Sequence, residues 1–190
     1  MIDMPLDRRK FLQKSGMIVS VGMASAAGFF RPAEAARLNM PLQILSAEES
    51  NILGSFGEVI VPGSGKAGMV HFIDNQLTQA PDDCMLLLKY FQIRPPYIDF
   101  YRSGCIALTK YCQTRYGRAF ESLSNTEKDE VIKALVNGAP DGWQGPPAFL
   151  FYMFVRSDAV DVVYGTPEGF EKLNMPYMAH ILPPEGWSHG

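Results

Sequence analysis

Two four-residue stretches constrain the fold of this chain more than any other feature. Ser46-Ala47-Glu48-Glu49 and Ser124-Asn125-Thr126-Glu127 each place a hydroxyl three residues before a carboxylate. In a capping box the serine oxygen accepts from the third amide, and the carboxylate reaches back to the serine amide. Both stretches therefore predict helix starts. Ile52, Leu53, Phe56, Val59 and Ile60 follow the first at helical spacing, and Val131, Ile132, Leu135 and Val136 follow the second. Pro62-Gly63-Ser64-Gly65 stops the first helix and Asn137-Gly138 the second.

Further helices are predicted by the same periodicity. One runs from Ala67 to about Gln79 with Met69, Phe72, Ile73 and Leu77 inward, and a shorter one covers Asp82 to Phe91. Pro95-Pro96 opens another, with Tyr97, Tyr101, Cys105, Leu108 and Cys112 as its apolar stripe. The last runs from Ala148 to Tyr164 with Phe149, Met153, Phe154, Val160 and Val163 buried. No stretch alternates like a set of strands, and no fixed-period repeat is visible. The fold class is all-α: a compact helical bundle, with an extended aromatic- and Pro-containing tail over 166–190.

The N-terminus has a different organisation. Arg8-Arg9-Lys10-Phe11-Leu12 is followed by a weakly apolar stretch, Gly16 to Phe30, and then by Arg31-Pro32-Ala33-Glu34-Ala35-Ala36. Basic, apolar and small-residue segments in that order form a secretory leader, with Ala33 and Ala35 as the small residues before the cut and Pro32 ending the leader helix. Adjacent Arg8 and Arg9 followed by Phe11 and Leu12 place it with the twin-arginine leaders. Residues 1–35 are thus expected to be an export signal and 36–190 the exported domain. The twin-arginine route carries folded proteins, so the expected destination is the periplasm. An uncleaved leader acting as a membrane anchor is the alternative, although the apolar stretch is short for a span.

Composition excludes several function classes. A formal net charge of −3 gives no basic face for nucleic acid. There is no G-x-G-x-x-G after a strand, no C-x-x-C-H and no paired C-x-x-C, so no cofactor is expected in this chain. Gly63-Ser64-Gly65-Lys66 lacks the spacing of a phosphate loop and reads as a turn. No catalytic or metal residues are assigned. Cys105 and Cys112, seven apart on one helix, are separated by a rise of about 10.5 Å and cannot pair with each other. Cys84 with Cys105 or Cys112 is a possible disulfide; three buried free thiols is the other reading. Asp158 and Asp161 read as a solvated or partner-facing edge. A stand-alone periplasmic enzyme would need a site built from His180, Asp158, Asp161 and Tyr164.

Several segments together carry a resemblance. They are the leader, Leu45-Ser46-Ala47-Glu48-Glu49, Glu58-Val59-Ile60-Val61-Pro62-Gly63, and Ala67-Gly68-Met69-Val70-His71-Phe72-Ile73-Asp74. Val163-Tyr164-Gly165-Thr166-Pro167-Glu168-Gly169-Phe170, Asn174-Met175-Pro176-Tyr177-Met178-Ala179-His180-Ile181 and Gly186-Trp187 complete it. The chain resembles the gluconate 2-dehydrogenase subunit 3 family, the small subunits of membrane-bound sugar-acid dehydrogenases. The resemblance implies a large glucose–methanol–choline-type flavoprotein partner holding FAD, a cytochrome c subunit holding haem c, and export of the signal-less flavoprotein through the small subunit's leader and the twin-arginine translocon. Tyr177, Met178, His180 and Trp187 are the expected partner contacts, since aromatic and Met side chains are enriched at interfaces.

Overall fold

A computed structural model describes residues 23–25, 28–138 and 140–176. The domain is helical. Its elements are α1 (Pro32–Arg37), α2 (Ala47–Ile60), α3 (Met69–Leu77), a 3-10 turn (Leu87–Phe91), α4 (Ile98–Tyr116), a second 3-10 turn (Phe120–Ser122), α5 (Asn125–Val136), α6 (Ala148–Tyr164) and α7 (Pro167–Lys172). Among the described residues the only strands form a small antiparallel ribbon ahead of the domain, Met23–Ser25 against Gly28–Phe30. The described residues just ahead of Pro32 are therefore strand and not the last turn of a leader helix. Pro32 instead occupies the first turn of α1, where its missing N–H costs nothing and its fixed φ suits the helix.

Both capping boxes are formed. The Ser46 hydroxyl accepts from the Glu49 amide at 3.1 Å while Glu49 accepts from the Ser46 amide at 2.8 Å. The Ser124–Glu127 pair repeats the exchange at the head of α5.

The expected helix over Asp82–Phe91 shrinks to its second half. The Met85 amide donates to Gln76 Oε1 at 2.8 Å and the Leu86 amide to Cys84 Sγ at 3.4 Å. These long-range and local bonds take the amides a helix would need, and Leu86 is extended. The tail is corrected as well: Thr166 caps a short helix, α7, by accepting from the Gly169 amide at 3.0 Å. An extended tail over 166–190 thus does not begin at 166, and residues 177–190 lie outside the described part.

α6 is the central element, touching α2, α3, α4, α5, α7 and the first 3-10 turn. That explains a helix apolar on nearly every side. Aromatic rings fill the centre. Phe56 of α2 lies 5.3 Å from Phe151 of α6 and 5.4 Å from Phe120, and Phe100 of α4 lies 5.2 Å from Phe154. Phe149, expected in this core, is 44% exposed. It lies on the less covered face of α6, in line with Met153, Arg156 and Val160, while Ala148 and Phe151 on the inner face are buried.

One buried charge fastens the N-terminal segment to the bundle. Asp74, fully buried on α3, accepts from the amides of Gln43, Ile44 and Leu45, each at 2.8 Å. A buried carboxylate is tolerated when its lone pairs are filled this way. Replacing Asp74 with Asn is expected to cost about 2–3 kcal/mol, because the charge-assisted bonds are lost and an NH2 group faces N–H donors. Urea unfolding of the variant measures it.

Candidate functional site: a groove beside the central helix

A groove of about 790 Å³ lies between the start of α1, the turn after α2, the 81–90 segment, and the α6–α7 junction. Phe72, Met85, Val162 and Val163 give it an apolar lining. Its rim is charged with both signs, Lys66, Lys89 and Lys172 against Asp83, Asp161 and Glu168. Arg31 pairs with Glu168 at 3.7 Å across one end, an exposed and therefore weak contact. Tyr90, 70% exposed, stands at the edge with the Lys89 ammonium over its ring.

Behind the groove lies a buried acid. The Tyr101 hydroxyl of α4 donates to Asp158 Oδ2 of α6 at 2.7 Å, with both residues removed from solvent. Burial raises the Asp158 carboxyl to about 8; the Tyr101 hydrogen bond opposes that shift and the nearby Asp161 charge adds to it. Burial, and then the Asp158 charge, push the Tyr101 hydroxyl well above its ordinary value. Asp161, one turn on, is exposed at the groove, with its carboxyl raised by partial desolvation.

The expectation of Asp158 and Asp161 as a shared solvated or partner-facing edge is therefore corrected for Asp158. The α6 backbone turns Asp158 into the core, where Tyr101 satisfies it, and leaves only Asp161 accessible. Asp158 cannot touch a substrate from there. Tyr164 is half-buried on the same helix, and His180 lies outside the described residues. A stand-alone site from these four residues is thus not assembled among the described ones.

The remaining candidates fall as follows. Cys84, Cys105 and Cys112 are all buried and stand as free thiols, so the possible bridge from Cys84 is not present here. Burial raises all three thiols, Cys105 and Cys112 to about 12. The glycine turn 63–65 has its amides filled from within: Glu58 accepts from Gly63 at 2.7 Å and from Gly65 at 2.9 Å. No anion is needed there. Ala33 and Ala35 lie in α1, and Ala35 is fully buried. Arg8, Arg9, Phe11, Leu12, Tyr177, Met178, His180 and Trp187 lie outside the described residues. No group of three potential metal ligands occurs among the described residues. No described helix is long and apolar enough to cross a membrane.

Periodicity counted Tyr101 as one more member of an apolar stripe and so missed its pairing with Asp158. The only available signal was a hydroxyl on a core-facing stripe, matched by a carboxylate on an apolar helix.

A small helical module with a mixed apolar and charged groove, its buried polar side chains satisfied internally apart from the Ser64 hydroxyl among the described residues, is the class these features define. The sequence comparison places it in a family. Residues 47–181, more than two thirds of the chain, match the model of the family described as gluconate 2-dehydrogenase subunit 3, and the protein belongs to that family. No curated protein and no solved structure matches the chain.

Proposed function

We propose that this chain is the non-catalytic small subunit of a periplasmic FAD-dependent dehydrogenase complex, supplying the twin-arginine signal and an assembly surface for a folded flavoprotein. The observation that carries the reading is the leader, Arg8-Arg9-Lys10-Phe11-Leu12 ahead of a weakly apolar stretch, on a member of a dehydrogenase-subunit family. A route for folded cargo suits a partner that takes up FAD before crossing the membrane. The partner is a glucose–methanol–choline-type flavoprotein, with a cytochrome c subunit passing electrons onward. The complex, through its other subunits, keeps the protein at the membrane. The groove and its Tyr90 edge offer apolar area with a charged rim, the anatomy of a protein contact.

Changing Arg8 and Arg9 together to Lys tests this. Both the small subunit and the flavoprotein are expected to remain in the cytoplasmic fraction, and periplasmic dehydrogenase activity to fall to background. Undiminished periplasmic activity would exclude export by this leader. Co-purification from wild-type membranes is expected to bring a flavin spectrum carried by a larger chain.

A further inference from the structure

The segment expected to be cut during export is built into the folded domain. Arg31–Arg37 is not a flexible approach to the bundle. The Arg31 carbonyl accepts from the amides of Glu34 and Ala35, both at 2.9 Å, the Leu38 amide donates to Glu34 at 2.9 Å, and the Met40 amide donates to Ala35 at 3.0 Å. α1 packs against α3. The contact is so close that only glycine fits at one point. Gly68 has φ +83°, and a Cβ there would lie 2.0 Å from the Pro32 carbonyl oxygen and 2.2 Å from its carbon. Ala35 has no exposed surface. Beyond α1, His71 Nε2 lies 3.1 Å from the Met40 carbonyl oxygen, and Asp74 holds the amides of residues 43–45.

A leader peptidase needs its substrate extended, with the two small side chains presented to its pockets. In the folded domain the Ala35–Ala36 bond is helical and the Ala35 methyl faces the bundle. Of the two small residues of the cleavage motif, Ala35 is packed away from solvent, and the Pro32–Ala33 peptide just before it rests on Gly68. A protein exported already folded arrives at the peptidase with this helix in place.

We infer that the folded protein keeps its N-terminal leader: α1 docked on Gly68 seals Ala35, so cleavage after Ala35 requires this helix to lift off. Residues 1–30 then stay covalently attached to the assembled subunit. The inference rests on the export reading for the identity of the protease, but its test does not require export.

Full-length chain carrying Arg8→Lys and Arg9→Lys is purified from the cytoplasm and mixed with purified leader peptidase in detergent, and cleavage is followed by intact mass. The chain with Gly68 is expected to stay full length while a Gly68→Val version is cut after Ala35 at least ~10-fold faster, since the valine displaces the Pro32–Ala33 peptide. Equal cutting of the two would overturn the inference. Resistance of both would overturn it too, since the docked helix would then not be what protects the bond. Hydrogen exchange on the chain with Gly68 decides the same point without a core substitution. The amides of Ala35, Leu38 and Met40 are expected to exchange about 100-fold or more slowly than in an unfolded chain. Exchange at the unfolded rate would sink the idea. Loss of export in the arginine pair leaves either result unchanged, so failure of the export reading and failure of this one are separable.

Discussion

Replacing Asp158 with asparagine is expected to make the protein more stable at pH 8 and to remove most of its stability loss between pH 4 and pH 8. The sign follows from the direction of the shift. The folded carboxyl titrates at about 8, whereas an unfolded aspartate titrates near ~3.9. The folded state therefore holds this proton more tightly than the unfolded state does. Below the unfolded value both states are protonated and the group contributes no penalty. As pH rises from there the unfolded chain releases the proton first, and stability falls until the folded carboxyl also ionises. The whole swing is at most on the order of 5 kcal/mol. Asparagine carries no titrating group, and its side-chain oxygen can still accept from the Tyr101 hydroxyl. Its NH2 group lacks an evident partner, which costs about 1 kcal/mol at every pH. The variant is thus expected to be slightly weaker than the parent at pH 4 and clearly stronger at pH 8. Urea midpoints taken across that range check it; parallel curves for the two proteins would contradict the account.

Replacing Gly104 with alanine is expected to destabilise the domain by about 2–3 kcal/mol, even though alanine is the better helix former by about 1 kcal/mol. Gly104 sits on the face of α4 that meets α6. A Cβ there would fall 2.2 Å from Cδ2 and 2.3 Å from Cε2 of Phe151. That ring has nowhere to move: it is fully buried, with Phe56 at 5.3 Å and Trp143 at 6.1 Å. Trp143 is itself held, its indole N–H donating to the Pro146 carbonyl at 2.6 Å. The strain must therefore spread into the separation of the two helices. Gly54, where a Cβ would make only ordinary contact with Val70, is the control. Alanine there is expected to be neutral or mildly stabilising by denaturant midpoint.

The contrast between these two glycines shows what was legible in the chain itself. Helix starts were readable because a capping box is a local bargain between residues three apart, and Ser46 and Ser124 behave as their neighbours dictate. The aliphatic stripes were readable because burial follows period. The closed end of α2 was readable too, although not that Glu58 would fill its amides. What was hidden depends on partners far along the chain. Asp74 meets residues 43–45, Tyr101 meets Asp158, and Gly104 meets Phe151 only after the helices have packed. The lost half of the Asp82–Phe91 helix has the same origin, since Gln76 captures an amide from outside the segment. Phe149 was misplaced because α6 is apolar on several faces, so periodicity alone does not pick the one that turns inward; Phe149 shares its face with half-buried Met153 and Val160 and exposed Arg156. Of the candidate groove, only single residues such as Cys84 and Asp161 could be named in advance; its shape belongs to four separate elements.

The three thiols give the molecule an internal reporter. Cys84, Cys105 and Cys112 contact no solvent to speak of, and in the folded state their protons are held too firmly for nucleophilic thiolate to accumulate at neutral pH. An alkylating reagent can therefore count them only in molecules that have opened. The pace of triple labelling in a native preparation becomes a clock for whole-domain opening, readable by mass with no added probe.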